Sequence, residues 1–385
     1  MRMIRATAAA LAITLTVSTA AGAANQRLVV DDVGIRPADF SASTTVDNPL
    51  APLSQVVHAV SLGVDQGDPL RIETTLLPET RTIRWRGGST EVIVSQYLAI
   101  VDGELVEVTY DWFAQDDDGN VWYFGEDVVN YERGKVANDH GSWIAGADGP
   151  PGMLMPDDPQ VGDVFHPENI PGLVYEEDRV ISTSETIDGP QGPIDGVLEV
   201  REELKDGTIE KKFWAPGYGE FRALTPGEED VSIVFALPNE VQPDESPFAL
   251  TELQRHAAEA FDLARDGQIE MLADTALRMF EDWRAYGASD RTVVIDAFVG
   301  AVDDSLARLA RVVAERDAPA AAAAAIDLEL AVLDVMATHD GPRDDLRVDV
   351  LERRRALEAE DGERAAVANT KAIIAVLQGR ENPLA

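Results

Sequence analysis

The chain has 385 residues, no cysteine and a formal net charge of −38. That charge excludes a surface that binds nucleic acid or anionic lipid, and the missing cysteine excludes disulfides and thiol chemistry. At 45 % apolar content the length accommodates two or three domains, each with a core of its own. The acidity is uneven. Residues 1–247 hold 43 acidic and 16 basic side chains, a net of −27, whereas residues 248–385 hold 27 and 16, a net of −11. Adaptation to salt accounts for acidity in general, but not for acids clustered beside aromatic rings.

The first element is a predicted signal peptide over residues 1–23. Arg2 and Arg5 form a positive end, Ala8 to Val17 an apolar run, and Ala21-Gly22-Ala23 an A-x-A cleavage pattern. The expected mature protein starts at Ala24 and is secreted or periplasmic. An N-terminal extension over 24–68 is expected to pack on a β domain spanning 69–240. Seven runs there are rich in Val, Ile, Thr and aromatics: Arg71–Leu76, Arg81–Trp85, Val92–Val101, Leu105–Ala114, Val197–Leu204, Thr208–Trp214 and Val231–Ala236. Asp102-Gly103, Asp118-Gly119 and Asp206-Gly207 separate successive runs as hairpin turns. Between them, residues 141–169 read as one long loop of Gly, Pro and Asp, of a kind that is often functional.

A linker is predicted at 241–247, after which the period changes. Phe248–Arg265, Gln268–Tyr286, Arg291–Arg316, Ala320–Thr338 and Asp344–Gln378 repeat apolar residues every three or four positions, and the last segment is expected to break near Asp361-Gly362. The alanine-rich run from Ala318 is interrupted by Asp327, Glu329 and Asp334, which excludes a membrane span. The predicted fold class is therefore multidomain α+β: an antiparallel β sandwich or barrel followed by an all-α helical bundle.

Tyr110 to Asp127, YDWFAQDDDGNVWYFGED, is the densest candidate site, with six aromatic residues and six carboxylates. A two-residue turn at Asp118-Gly119 places Asp111 opposite Glu126, Phe113 opposite Phe124 and Gln115 opposite Trp122 on one face. Trp112, Ala114 and Asp116 then share the other face with Val121, Tyr123 and Gly125. Facing carboxylates repel, so a cation between them, a shared proton or splaying into water must relieve the pair. A different turn length would shift the register and dissolve the pairing. The Asp116-Asp117-Asp118-Gly119-Asn120 run fails the EF-hand spacing and reads as a solvated turn.

Val46-Asp47-Asn48-Pro49-Leu50, Asp111-Trp112-Phe113-Ala114-Gln115-Asp116, Gly119-Asn120-Val121-Trp122-Tyr123-Phe124-Gly125-Glu126, Gly141-Ser142-Trp143 and Trp214-Ala215-Pro216-Gly217-Tyr218-Gly219 stand in this order. Over about residues 45–222 the chain resembles a family of secreted bacterial proteins of unassigned function with a D-W-[YF]-A-Q-D…G-N-V-W-Y-F-G-E core. That resemblance implies a β domain and no activity. Leu50 stands where an aromatic is usual, and His166-Pro167-Glu168 replaces a more polar pattern; Glu168 is the match to a Glu that would be a ligand in relatives. The helical part faintly resembles extracytoplasmic bundles that bind iron, copper or haem, an analogy of fold alone.

None of the five histidines forms H-E-x-x-H. His140 and His166 bracket the acidic loop and are candidates to join Asp139, Asp163 or Glu168 around a metal, although exposed loop histidines explain them as well. Met336-Ala337-Thr338-His339 has a soft-metal spacing, but a core Met beside a helix-terminal His accounts for it. His256, Met271 and Met279 are expected in the core. With no G-x-S-x-G and no cysteine, nucleophile motifs are absent.

The expected function is non-enzymatic binding of a metal cation (Ca, Mn or Fe). The candidate metal ligands are Asp111, Glu126, Asp116, Asp163, Glu168 and His166, with Trp112, Gln115, Trp122, Tyr123 and Trp143 lining the ligand. Two alternatives remain open. One is a glycan binder or glycoside or ester hydrolase using Asp111 and Glu126. The other is a scaffold whose helical bundle docks a protein partner.

Overall fold

The computed structural model describes residues 28–29, 34–239, 245–287 and 296–380. The predicted signal peptide and residues 241–244 of the predicted linker lie outside them. Among the described residues, fifteen strands are followed by six α-helices, an α+β architecture of antiparallel sheet and then helical region. Among the described residues, no helix is long and apolar enough to cross a membrane.

The strands are β1 (Leu28–Val29), β2 (Val56–Asp65), β3 (Asp68–Trp85), β4 (Gly88–Val101), β5 (Glu104–Gln115), β6 (Val121–Glu132), β7 (Lys135–Asn138), β8 (Trp143–Ile144), β9 (Gly152–Met155), β10 (Asp163–Ile170), β11 (Val174–Gly189), β12 (Gly192–Leu204), β13 (Ile209–Ala215), β14 (Gly219–Leu224) and β15 (Glu228–Pro238). Their order across one continuous sheet is β1-β10-β11-β12-β13-β14-β15-β2-β3-β4-β5-β6-β7, with β8 and β9 added against β6. All pairs are antiparallel except β1 with β10. The sheet curls until its ends meet: β9 pairs with β6 and lies so close to β10 that a Cβ on Gly152 would come within 1.9 Å of the Pro167 carbonyl oxygen.

Two sequence expectations change here. Residues 141–169 form β8, β9 and most of β10 rather than one loop, and β2 makes the end of the 24–68 extension part of the sheet. Phe40, in the segment before β2, lies edge-on against Trp85 and Phe124. At the β4–β5 turn Asp102 and Gly103 both have positive φ (49° and 76°), the backbone that an Asp-Gly hairpin turn requires.

The helices are α1 (Phe248–Arg265), α2 (Ile269–Gly287), α3 (Asp296–Ala314), α4 (Ala318–Asp340), α5 (Asp344–Glu360) and α6 (Arg364–Gln378). The predicted break at Asp361-Gly362 separates α5 from α6. Alanine-rich α4 is the centre of the bundle: it packs against α1, α3 and α5 and buries residues all round its circumference. Met279 is buried as expected, whereas Met271 is 53 % exposed on the outer side of α2.

Sheet and helices are joined through apolar and ionic contacts. Val60, Phe235 and Leu237 enter the bundle core, and Val376 of α6 packs on Leu98, Leu105 and Val108. Among these lies buried Glu73. It accepts from Arg71 (2.8 Å), Arg347 (2.9 Å) and Arg380 (3.1 Å), while Arg71 also grips Asp334 with two bonds of 3.0 Å. Burial alone would raise the Glu73 pKa; the guanidiniums of Arg71, Arg347 and Arg380 outweigh it and hold the carboxyl well below its usual range. Burial and the same cations push neighbouring His58 down to about 3, so it stays neutral. Its Nδ1 is 2.9 Å from the Thr75 hydroxyl.

Candidate functional site

The site begins with an irregular hairpin. Asp111 stands opposite Glu126, as the sequence predicts, but the turn is longer than two residues. Asp116 organises it: its Oδ1 accepts from the backbone N–H groups of Asp118 (3.0 Å) and Asn120 (2.9 Å), and its Oδ2 from the Trp122 indole (2.8 Å). The longer turn shifts the register by one, pairing Gln115 with Val121, Ala114 with Trp122 and Phe113 with Tyr123. A bulge at Phe124–Gly125 restores the predicted register beyond it. Gly125 has φ +118°, and a Cβ there would lie 2.2 Å from the Trp143 carbonyl oxygen, so only glycine fits.

The bulge exchanges the faces of the hairpin. Tyr123, not Phe124, joins Asp111 and Phe113; it stacks on Phe113 at 4.8 Å between ring centroids and donates its hydroxyl to Asp111 Oδ1 at 2.5 Å. Trp122 and Phe124 pass to the other face, where Trp122 is 2 % exposed and Phe124 packs on Trp85. β10 adds a third carboxyl. Trp143, paired with Glu126 in the backbone ladder, donates its indole N–H to Glu168 Oε1 at 2.6 Å, and Glu168 shares a hydrogen bond with Glu126.

Asp111, Glu126 and Glu168 thus come from β5, β6 and β10 and meet on the concave face of the curled sheet. Burial raises the Asp111 pKa to about 7, against the lowering effect of the Tyr123 hydroxyl and with a further push from Glu107 and Glu168. Burial and the charges of Glu168 and Asp111 raise Glu126 to about 11, so it holds a proton at neutral pH. Glu168 is raised by burial too, less so because Trp143 donates to it. Among the described residues, no Lys or Arg forms an ion pair with any of the three.

The same face continues with more acids. Glu176 lies opposite Glu168, and Asp178 opposite Glu202. Among the described residues, Lys212 is the one cation set among them, 3.0 Å from Glu202 and 3.5 Å from Glu220. Burial raises Glu176, Asp178 and Glu202 well above ordinary carboxyl values, with neighbouring acids adding to the shift. The sequence reading missed this group. Its signal is parity: Glu202 falls in step with apolar Leu198 and Val200, and Lys212 with Trp214, which marks an inward face rather than a solvated one.

Several predicted site residues lie apart from the carboxyl cluster. Asp116 shapes the turn. Asp163 caps its own turn by accepting from the Gln160 N–H at 2.9 Å. With Phe165 opposite Asp178, His166 falls on the reverse face, 3.8 Å from Glu177. His140 is exposed. Gln115 clamps the Asp47-Asn48 segment, accepting from both backbone N–H groups at 2.9 Å. Trp112 is buried beneath Arg81, whose guanidinium carbon lies 3.9 Å from the ring centroid. His256 is buried, 2.6 Å from Asp282, and Tyr286 holds His339 at 2.9 Å. Of the predicted set, Asp111, Glu126, Glu168, Tyr123 and Trp143 come together.

Among the described residues, no group of three or more His, Asp or Glu side chains is arranged to hold a metal ion. Compared with family models, with curated proteins and with solved structures, the chain finds no match.

Proposed function

We propose that this is a binding protein that takes up a cation on the concave face of its sheet, at Asp111, Glu126 and Glu168. The observation that supports the reading is the charge imbalance: three carboxyls converge from three strands, and among the described residues no basic side chain pairs with them. Unpaired carboxylates shielded from water are costly, so the site favours protons there, and a bound cation would displace them. An organic ammonium fits better than a metal ion. It tolerates loose placement of acceptors, and the Tyr123 and Phe113 rings beside the acids suit an alkylammonium. The buried indoles of Trp112, Trp122 and Trp143 offer no open platform for a sugar, so the glycan reading has less support.

Equilibrium dialysis with Ca²⁺, Mn²⁺, Fe³⁺ and butylammonium tests this reading. The expected result is uptake of one class of cation that strengthens as pH rises through about 7, where Asp111 loses its proton. The double variant Asp111→Asn/Glu126→Gln should weaken uptake by about tenfold or more. If the wild-type protein takes up no cation at all, the proposal fails.

A further inference from the structure

His58 stands where the sheet meets the helical region. It lies on β2, 4 % exposed, opposite Thr75 of β3, whose hydroxyl is 2.9 Å from its Nδ1. Its ring centroid is 6.4 Å from that of Phe235, which in turn packs against Phe298 of α3. The cavity beside the ring is about 10 Å³, room for a single water molecule at most, so bulk water cannot screen a charge there. Charged groups close in from several elements. β3 supplies Glu73 and Arg71, and α4 supplies Asp334. The start of α5 supplies Arg343, Asp344 and Arg347, and Arg380 follows α6. β15 and α3 contribute Phe235 and Phe298, which carry no charge. The acids are already matched to guanidiniums: Glu73 to Arg71, Arg347 and Arg380, Asp334 to Arg71 and Arg347, and Asp344 to Arg380 at 3.8 Å. An imidazolium would be a further cation in a group whose acids already have partners.

We propose that His58 makes this junction an acid-sensitive clasp: in acid the imidazole gains its proton by leaving its slot, and the helical region then releases β2 and β3 while the rest of the sheet stays paired. The device does not depend on the cation site. Its direction follows from linkage. A released His58 takes up its proton near 6.5, whereas burial and the arginines delay this to about 3 in the closed junction. Closure is therefore at full strength above 6.5, and each pH unit below it favours release about tenfold. Glu73 acts in the same direction only below 4.5, because its arginines hold its pKa well under that value. Asp344, raised by burial, acts the opposite way. On the other face burial raises Asp178 and Glu202, so acid favours their neutral forms and adds no charge there.

Hydrogen exchange of the full-length protein, followed by mass spectrometry from about pH 6.5 to 4.5 and corrected for the pH dependence of the chemical step, tests the clasp. In wild type, exchange through opening at β2, β3, α5 and α6 should rise about tenfold per pH unit, with β11–β13 unchanged. His58→Gln, neutral at every pH, should lose that rise. A second measurement needs no variant: the His58 ring resonances of the closed wild-type protein should show no protonation across this range. A flat wild-type profile, a rise retained in His58→Gln, or a ring that titrates near 6.5 in the closed protein each overturns the proposal. So does an equal rise in every strand, which marks global acid unfolding.

Discussion

Two groups of buried charge lie on opposite faces of the same sheet. On the convex face, Glu73 meets Arg71, Arg347 and Arg380, and Asp334 meets Arg71 again; every acid there has a guanidinium. On the concave face, Asp111, Glu126, Glu168, Glu176 and Asp178 lie near one another, and among the described residues the one cation set among the acids is Lys212, which forms its ion pairs with Glu202 and Glu220. The first group holds Glu73 ionised and ties the helices to the sheet. The second raises its own carboxyls, Glu126 to about 11, so that Glu126 keeps its proton at neutral pH. Burial is common to both, so burial alone does not mark a functional group. What separates them is whether the chain supplies the countercharge.

The comparison is tested most severely by removing a countercharge. Arg380→Ala leaves Glu73 Oε2 and Gln96 Oε1 without their donor beside a buried hole and should cost about 3–5 kcal/mol in chemical denaturation. Gly125→Ala should come next, at about 2–3 kcal/mol, because its Cβ has no room beside Trp143 and the bulge that pairs Asp111 with Glu126 must distort. Asn369 of α6 accepts from the Leu105 N–H and donates to the Gly103 carbonyl, each at 2.8 Å. Asn369→Ala should therefore cost about 1–2 kcal/mol, with hydrogen exchange rising first at the β4–β5 turn.

The smallest effect belongs to the concave face and has the opposite sign. The folded protein holds the Asp111 proton more tightly than the unfolded chain, so this residue's contribution to stability is complete below 3.8 and is lost as pH rises to about 7. Asp111→Asn should flatten that slope and, above pH 7, stabilise the protein by about 1 kcal/mol. Melting midpoints across that pH range check the sign.

The helical half was readable because its spacing is regular: α1 falls where the three-and-four pattern places it, and the α5–α6 break falls at Asp361-Gly362. Hairpins with Asp-Gly turns were readable for the same local reason. β10 was not, since Pro167 interrupts it and its bulge spoils the alternation. β11 was hidden by its exposed Ser, Thr and Glu residues. The Asp111–Glu126 pair was placed correctly from a premise that proved incomplete, because a longer turn and a glycine bulge offset each other. Which aromatic faced Asp111 depended on that bulge, so Tyr123 was assigned to the wrong side. Curling brings Glu168 beside Glu126, and pairing along one hairpin cannot show curling.

The convex ion group also constrains the order of folding. Glu73 and Arg380 are 307 residues apart. During vectorial synthesis the first strands of the sheet emerge long before α5 and α6 do, and Glu73 then has only Arg71 beside it. The sheet can pair early, but Glu73 on its convex face stays hydrated until Arg347 and Arg380 arrive. The junction is therefore a late, long-range contact of the kind that slows folding, and the sheet completes its ionic seal only after nearly all the described helices exist.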